Sequence, residues 1–318
     1  MINLSKIQLQ TAKGRKNIVT IQNLATPGIS PTPPLPHAAD DFSTLVTAIR
    51  QARQNQRPVI MSIGAHVIKN GLSRYLIALM KAGYITHLAS NGAGSIHDFE
   101  LAWLGGTSED VATAIEDGTF GMWEETCTWM NEAIAQHPNL GYGQALATYI
   151  HQHPARFPHR EDCVLYQAHK LGIPATYHIA IGTDIIHQHP QADFAAIGLA
   201  SGVDFHKICD SVAQLDGGVF LNFGSGVIGP EVFLKALSIA RNLGYPTFNI
   251  TTANFDLVDL GDYHAPIGYA DPLYYYRPRK NIVNRPVSRG GQGFHFTLDH
   301  QVSIPNLFDQ LQTEEGRK

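Results

Sequence analysis

Five short apolar runs, each preceded by a stretch with helical spacing, constrain this chain more than any other feature of it. PVIMSIG follows a helical pattern through Leu45, Val46 and Ile49, and ITHLAS follows one carrying Leu72, Leu76 and Leu79. ATYHIAIG comes after a helix around 164–170, GVFLNFG after one around 205–215, and TFNITT after one around 232–243. Runs that are apolar throughout, not alternating, suit strands covered by helices on both faces. The repeated succession of helix and strand specifies a mostly parallel sheet with right-handed crossovers, a Rossmann-like α/β fold.

Two other segments bracket this pattern. TPGISPTPPLP, at 26–36, is Pro-dense and reads as extended, so residues 1–40 are expected to form an arm or linker and 41–318 a single domain. Between ITHLAS and ATYHIAIG, Val111, Ala114, Ile115, Trp123, Cys127 and Met130 recur at helical intervals. A helical insertion over about 100–158, a lid or an oligomer face, is expected there.

Charge and cysteine content narrow the class. The 318 residues carry a formal net charge of −4, which gives no basic field for a nucleic acid. Apolar runs stop well short of the roughly 20 residues that cross a bilayer, and the start lacks the apolar core of a secretory signal, so the expectation is a cytoplasmic protein. Cys127, Cys163 and Cys209 are scattered without CxxC spacing and read as buried small hydrophobes.

In an open parallel sheet, ligands bind where strands give way to loops. Here those loops begin with Gly64, Ala65 and His66; with SNGAGSIHDFE from Ser90; with GTDIIHQHP from Gly182; with GSGVIGPE from Gly224; and with TTANFD from Thr251. Glycine and small residues at four of the five let a ligand approach the backbone, although neither Gly92-Gly94 nor Gly224-Gly226 completes a GxGxxG motif. Asp184 follows its strand and is expected to hold a ribose or an amine. Asp98 and Glu100 are expected in the first turn of a helix, Glu100 as a cap, and His97 beside them is a candidate general acid or base. Asn91, Asp184, Ser225 and Thr252 should converge on one crevice.

Read in order, EDCVLYQAHKLGIPATYHIAIGTD, DFHKICDSVAQLDGGVFLNFGSGVIGPEVF and TFNITTANFD, with IGAHVIKNGLSR and THLASNGAGSIHDFE before them, resemble deoxyhypusine synthase and its bacterial relatives. The resemblance covers most of the chain from Pro58 onward. It implies a deoxyhypusine-synthase-like Rossmann domain, a homotetramer, NAD as cofactor, and transfer of an aminobutyl group from the polyamine spermidine. By position it assigns Ala65, His66, Asn91, Gly92, Gly94, Asp98, Asp184, Gly224, Ser225, Gly226, Thr252 and Ala253 to the cofactor.

The same resemblance calls for an imine-forming lysine, and Lys280 is the candidate, although it stands in YYYRPRKN and not in a Trp-Gly-Lys context. Ile96-His97 replaces the family's paired acidic residues, and Pro230-Glu231 replaces its histidines. The expectation is therefore an NAD-dependent transferase or oxidoreductase acting on an amine or amino-acid-like substrate, and not deoxyhypusine formation. Lys280, His97 and Asp98 are its candidate catalytic residues. Two alternatives stay open. One is a metal-dependent hydrolase using zinc or another divalent ion held by His66, His97, Asp98, His178, Asp184, His187 and His189, although no HExxH spacing is present. The other is a non-catalytic nucleotide-binding protein.

Overall fold

The computed structural model describes residues 2–36, 39–265 and 267–313. Six parallel strands form the central sheet: β1 (Val59–Ile63), β2 (His87–Asn91), β3 (Ala175–His178), β4 (Val219–Phe223), β5 (Thr251–Asp256) and β6 (Gln292–Thr297). Their spatial order is β3-β2-β1-β4-β5-β6, the doubly wound dinucleotide-fold order, in which the chain reverses direction across the sheet between β1 and β4. The helices are α1 (Ala39–Gln54), α2 (Ala65–Lys69), α3 (Ser73–Lys81), α4 (Gly92–Leu104), α5 (Val111–Asp117), α6 (Glu124–Gln136), α7 (Tyr142–Gln152), α8 (Val164–Lys170), α9 (Phe194–Ala213), α10 (Ile228–Asn242) and α11 (His300–Gln312).

Successive strand residues point to opposite faces, and both faces are buried. Met61, Leu221, Phe255 and Phe296 pack with α1, α3 and α11, while Ile60, Phe220 and Ile250 pack with α9 and α10. A third apolar cluster, with Phe99, Trp123, Met130, Tyr149 and Phe157, joins α4, α6 and α7. One row of the sheet is polar instead: Ser62, Asn222, Asn254 and His295 are paired neighbours on β1, β4, β5 and β6, all buried. Asn222 Nδ2 donates to Asn254 Oδ1 (2.7 Å), Asn254 Nδ2 to His295 Nδ1 (3.0 Å), and His295 Nε2 to the Val258 carbonyl (2.8 Å).

Three differences from the sequence reading bear on the site. The fifth strand begins at Thr251, after the TFNI of the expected run, because the 248–249 backbone is drawn aside: Phe248 N and Asn249 N both donate to Asp216 Oδ1. A sixth strand, β6, extends the sheet beyond the five expected. Part of the segment expected as an arm or linker packs on the domain. Val19–Thr20 pairs antiparallel with Gly106–Thr107, and Ala12 and Leu24 are core residues. No helix among the described residues is long and apolar enough to cross a membrane.

Candidate functional site

The reversal between β1 and β4 brings two of the expected loops into contact. Gly64 N donates to the Phe223 carbonyl at 2.7 Å, and a Cβ added to Gly64 would lie 2.6 Å from the Gly224 carbonyl oxygen. Ala65 opens α2, and His66 beside it is exposed. Beyond Gly224, the Ser225 hydroxyl accepts from Gly229 N at 2.9 Å, and no other atom lies within 4 Å of the Cβ position of Gly226. Ser225 thereby caps the second residue of α10, Pro230 has no N–H and Glu231 N donates to the Val227 carbonyl, so in the first turn of that 15-residue helix Ile228 N is the donor left for a ligand among the described residues. Two buried polar atoms nearby, Asn222 Oδ1 and His300 Nδ1, have no partner. A crevice at a reversal of strand order, edged by a glycine turn and the start of a long helix, fits the pyrophosphate of a dinucleotide.

The short α2 packs on α4 and leads from this crevice to a cavity of about 210 Å³ lined by Lys69, His97, Glu109, Phe120, Asp184 and Ile185, among others. Asp184 lies just before a 3-10 turn at Ile185–Gln188 that aims it back at the start of α4. Its backbone N donates to His187 Nδ1 at 3.1 Å, and its carboxylate meets Gly92, where a Cβ would lie 1.9 Å from Oδ2. Asp184 is only 8% exposed and Oδ2 has no hydrogen-bond partner, so burial pushes its carboxyl up to about 6. Glu109, 9% exposed, accepts from Trp123 Nε1 (2.8 Å) and Gly121 N (3.1 Å) through Oε1, while Oε2 is buried without a partner. Burial pushes its carboxyl up as well.

Arg15, from the N-terminal segment, forms a two-point ion pair with Glu100 (2.9 and 2.8 Å), its side chain 4% and that of Glu100 2% exposed. Glu100 also accepts from Thr107 Oγ1 (2.6 Å) and Thr126 Oγ1 (3.0 Å), and Thr107 Oγ1 meets His97 Nδ1 at 2.8 Å. Glu100 therefore sits beyond the first turn of α4 as an ion-pair anchor, and the helix-capping role expected for it is not what it does.

Asn91, Gly92, Gly94, His97 and Asp184 are gathered at the start of α4, and Ala65, His66, Gly224, Ser225 and Gly226 at the reversal of the sheet. The Asn91 side chain is committed to capping α4 through Gly94 N at 2.9 Å. Thr252 and Ala253, expected in the crevice, lie inside β5 because that strand starts late, and the Thr252 hydroxyl donates to the Ile282 carbonyl. Asp98 points away from the cavity. It accepts from Val164 N (3.0 Å), Leu165 N (2.8 Å) and Cys163 Sγ (3.2 Å), closing the start of α8. Lys280 does not line the cavity, and its ammonium stacks on the Tyr274 ring, 3.2 Å from the centroid.

Among the described residues, no three His, Cys, Asp or Glu side chains are grouped to hold a metal ion. The candidate ligands have local partners instead. His178 Nε2 meets Thr176 Oγ1, His187 Nδ1 takes two backbone N–H groups, and His189 Nε2 meets Thr128 Oγ1. Lys69, Glu109, Arg15 and Thr107 were not singled out by sequence. None of them follows a strand of the main sheet, and only the helical spacing of Lys69 from His66 placed it near a strand end.

No known family's sequence profile matches the chain, and no curated protein matches it in sequence. Solved structures do match in shape. A LOR/SDH-type protein of Methanococcus maripaludis S2 aligns over 89% of this chain and 70% of its own, with TM-score 0.52 and 15% identity. AgrE, solved as a ternary complex with ornithine and NAD+, aligns over 87% of this chain with TM-score 0.51 and 16% identity. The chain spans only 33% of the length of AgrE, and the same share of ArgZ, an arginine dihydrolase of cyanobacteria. A protein assigned as a deoxyhypusine synthase from Entamoeba histolytica aligns over 86% of this chain and 87% of its own, with TM-score 0.50 and 10% identity. What this chain shares with all of them is the deoxyhypusine-synthase-like α/β fold.

Proposed function

We propose that this chain is an NAD-dependent enzyme acting on an amine or amino-acid-like substrate, with the cofactor in the crevice between β1 and β4 and the substrate ammonium in the adjoining cavity. The observation that carries the reading is the pair of carboxylates that line one small cavity, Asp184 and Glu109, each with one oxygen buried without a partner, Oδ2 and Oε2. A buried acceptor left unpaired costs about 1–3 kcal/mol, and a ligand that donates to it recovers that energy. Two such acceptors favour a cation with N–H groups. Lys69 on the same wall offers a charge for a ligand carboxylate.

Ala65, His66, Gly224, Ser225 and Gly226 would hold NAD, with the start of α10 and its positive dipole end facing the pyrophosphate. β2 ends in Asn91, whose side chain already caps α4, so the ribose carboxylate found at that place in many dinucleotide folds is replaced here by local capping. NAD, when bound, supplies a hydride acceptor for the carbon that carries the amine. Asp184 and Glu109 would bind and orient the ammonium, and Phe120 and Ile185 would exclude water from it. The ornithine and NAD+ bound by AgrE, on the same fold, support the pairing of these ligand types. Assembly into a homotetramer, which the resemblance implies, belongs to the same proposal, and light scattering tests it.

Calorimetric titration with NAD+, L-ornithine and 1,4-diaminobutane tests the reading. Binding of NAD+ and of at least one amine is expected, with amine affinity weakened about tenfold or more in Asp184→Asn, as loss of a charged hydrogen bond of about 1.5–3 kcal/mol requires. Absence of binding for all three ligands overturns it.

A further inference from the structure

The hydrogen bonds around His97 determine which of its nitrogens carries the proton. Thr107 has a single hydroxyl hydrogen, and the Glu100 carboxylate 2.6 Å away, which can only accept, takes it. The contact of 2.8 Å between Thr107 Oγ1 and His97 Nδ1 must then run from Nδ1–H to the hydroxyl oxygen. Glu100 cannot turn away, because Arg15 grips both of its oxygens and Thr126 donates to it as well. Nε2 of His97 makes no hydrogen bond among the described residues, and the ring lines the cavity that holds Asp184 and Glu109.

We propose that Thr107 and Glu100 are positioning residues that lock His97 in the Nδ1–H tautomer, so that its bare Nε2 serves as a fixed acceptor for an N–H group of the ligand. The acceptor role rests on the amine site proposed above, whereas the tautomer does not. A primary ammonium has three N–H donors, and Nε2 would add a third acceptor to the two carboxylates that line the cavity, Asp184 and Glu109.

The charged and titratable groups facing His97 come from every element around it: Glu100 on its own helix, Lys69 and His66 on α2, Arg15 from the N-terminal segment, and Glu109 and Asp184 across the cavity. Burial dominates, helped by the three basic groups Lys69, His66 and Arg15 and opposed by Glu100, and brings the imidazole down to about 4. His97 therefore stays neutral, with Nε2 available, throughout the physiological pH range.

Nitrogen-15 NMR of the histidine-labelled full chain near pH 7 reads the tautomer without any need for activity. The expected result is a protonated Nδ1 and an unprotonated Nε2 for His97, assigned by its loss in His97→Gln. Thr107→Ser should retain this pattern, and Thr107→Val should shift it toward a mixture of tautomers. Methylammonium should move the Nε2 resonance, and tetramethylammonium, which has no N–H, should not. An Nε2–H tautomer or an imidazolium in the unmodified chain overturns the lock. The expected tautomer with no response to methylammonium overturns the acceptor role while upholding the lock, and the calorimetric titration above decides separately whether the amine site itself stands.

Discussion

The carboxylate of Asp184 occupies the space into which a side chain at Gly92 would grow, with Oδ2 1.9 Å from that missing Cβ. Glycine at 92 is thus the condition for Asp184 to enter the cavity wall. Gly92→Ala should displace the carboxylate, cost about 1–3 kcal/mol by overpacking, and weaken amine binding together with stability. Gly226→Ala, where no neighbouring atom lies within 4 Å of the added methyl, should stay within about 0.5 kcal/mol of the parent. Urea unfolding of the two variants makes the comparison.

The acid response of stability should carry the mark of the same residue. Between 3.8 and about 6, the folded chain keeps a proton on Asp184 that the unfolded chain has released, so this group's contribution to stability falls as pH rises through that window. His97 acts in the opposite sense. Its folded value is about 4 against 6.5, so its contribution rises with pH between those values. Removing the falling contribution in Asp184→Asn should make stability climb more steeply with pH than in the parent, by up to about 1.4 kcal/mol for each pH step of one. Unfolding midpoints at a series of pH values between these limits measure it.

Much of this architecture can be read from the apolar runs, since β1 to β4 fall where continuous hydrophobicity places them. The later part of the sheet was harder to read. β6 carries Gly293 and His295 among its phenylalanines and follows a π-helical turn at Arg279–Asn284, so the rhythm of helix and strand is broken just before it. The start of β5 is shifted by Asp216, a tertiary contact that local pattern does not reveal. His97 and Asp184 were visible as polar residues beyond strand ends. Glu109 and Arg15 were not, because their place in the cavity depends on how the insertion and the first 20 residues fold back.

Arg15 should prove as important to the fold as any residue of the sheet. Arg15→Ala would leave Glu100 charged and buried with only two threonine hydroxyls, and breaking a buried pair in this way costs about 3–5 kcal/mol. Chemical denaturation of this variant, and of a chain lacking residues 2–20, should show large losses in both. Stability equal to the parent in either would mean that the N-terminal segment is dispensable.

Asp98 and Lys280 should separate from the ligand site. Asp98→Ala strips three donors at the start of α8 and should cost at least the ~1–3 kcal/mol of one buried unpaired group, with the binding of NAD+ and amine retained in the folded fraction. Lys280→Met removes a cation resting on Tyr274 and should leave both affinities unchanged by calorimetry. A loss of amine binding in Lys280→Met would return that lysine to the site.

The polar row from Ser62 to His295 has a further consequence, for alignment. Strands buried on both faces present much the same grease at every step, and sliding one past another by a residue pair changes their packing little. Here such slippage would set Asn254 against Phe220 or Gly224 instead of Asn222, and strand two amides in a dry interior at about 1–3 kcal/mol each. The row acts as a key cut across four strands: only one frame lets every tooth engage, and that frame is the one that brings the turns after Ile63 and Phe223 side by side.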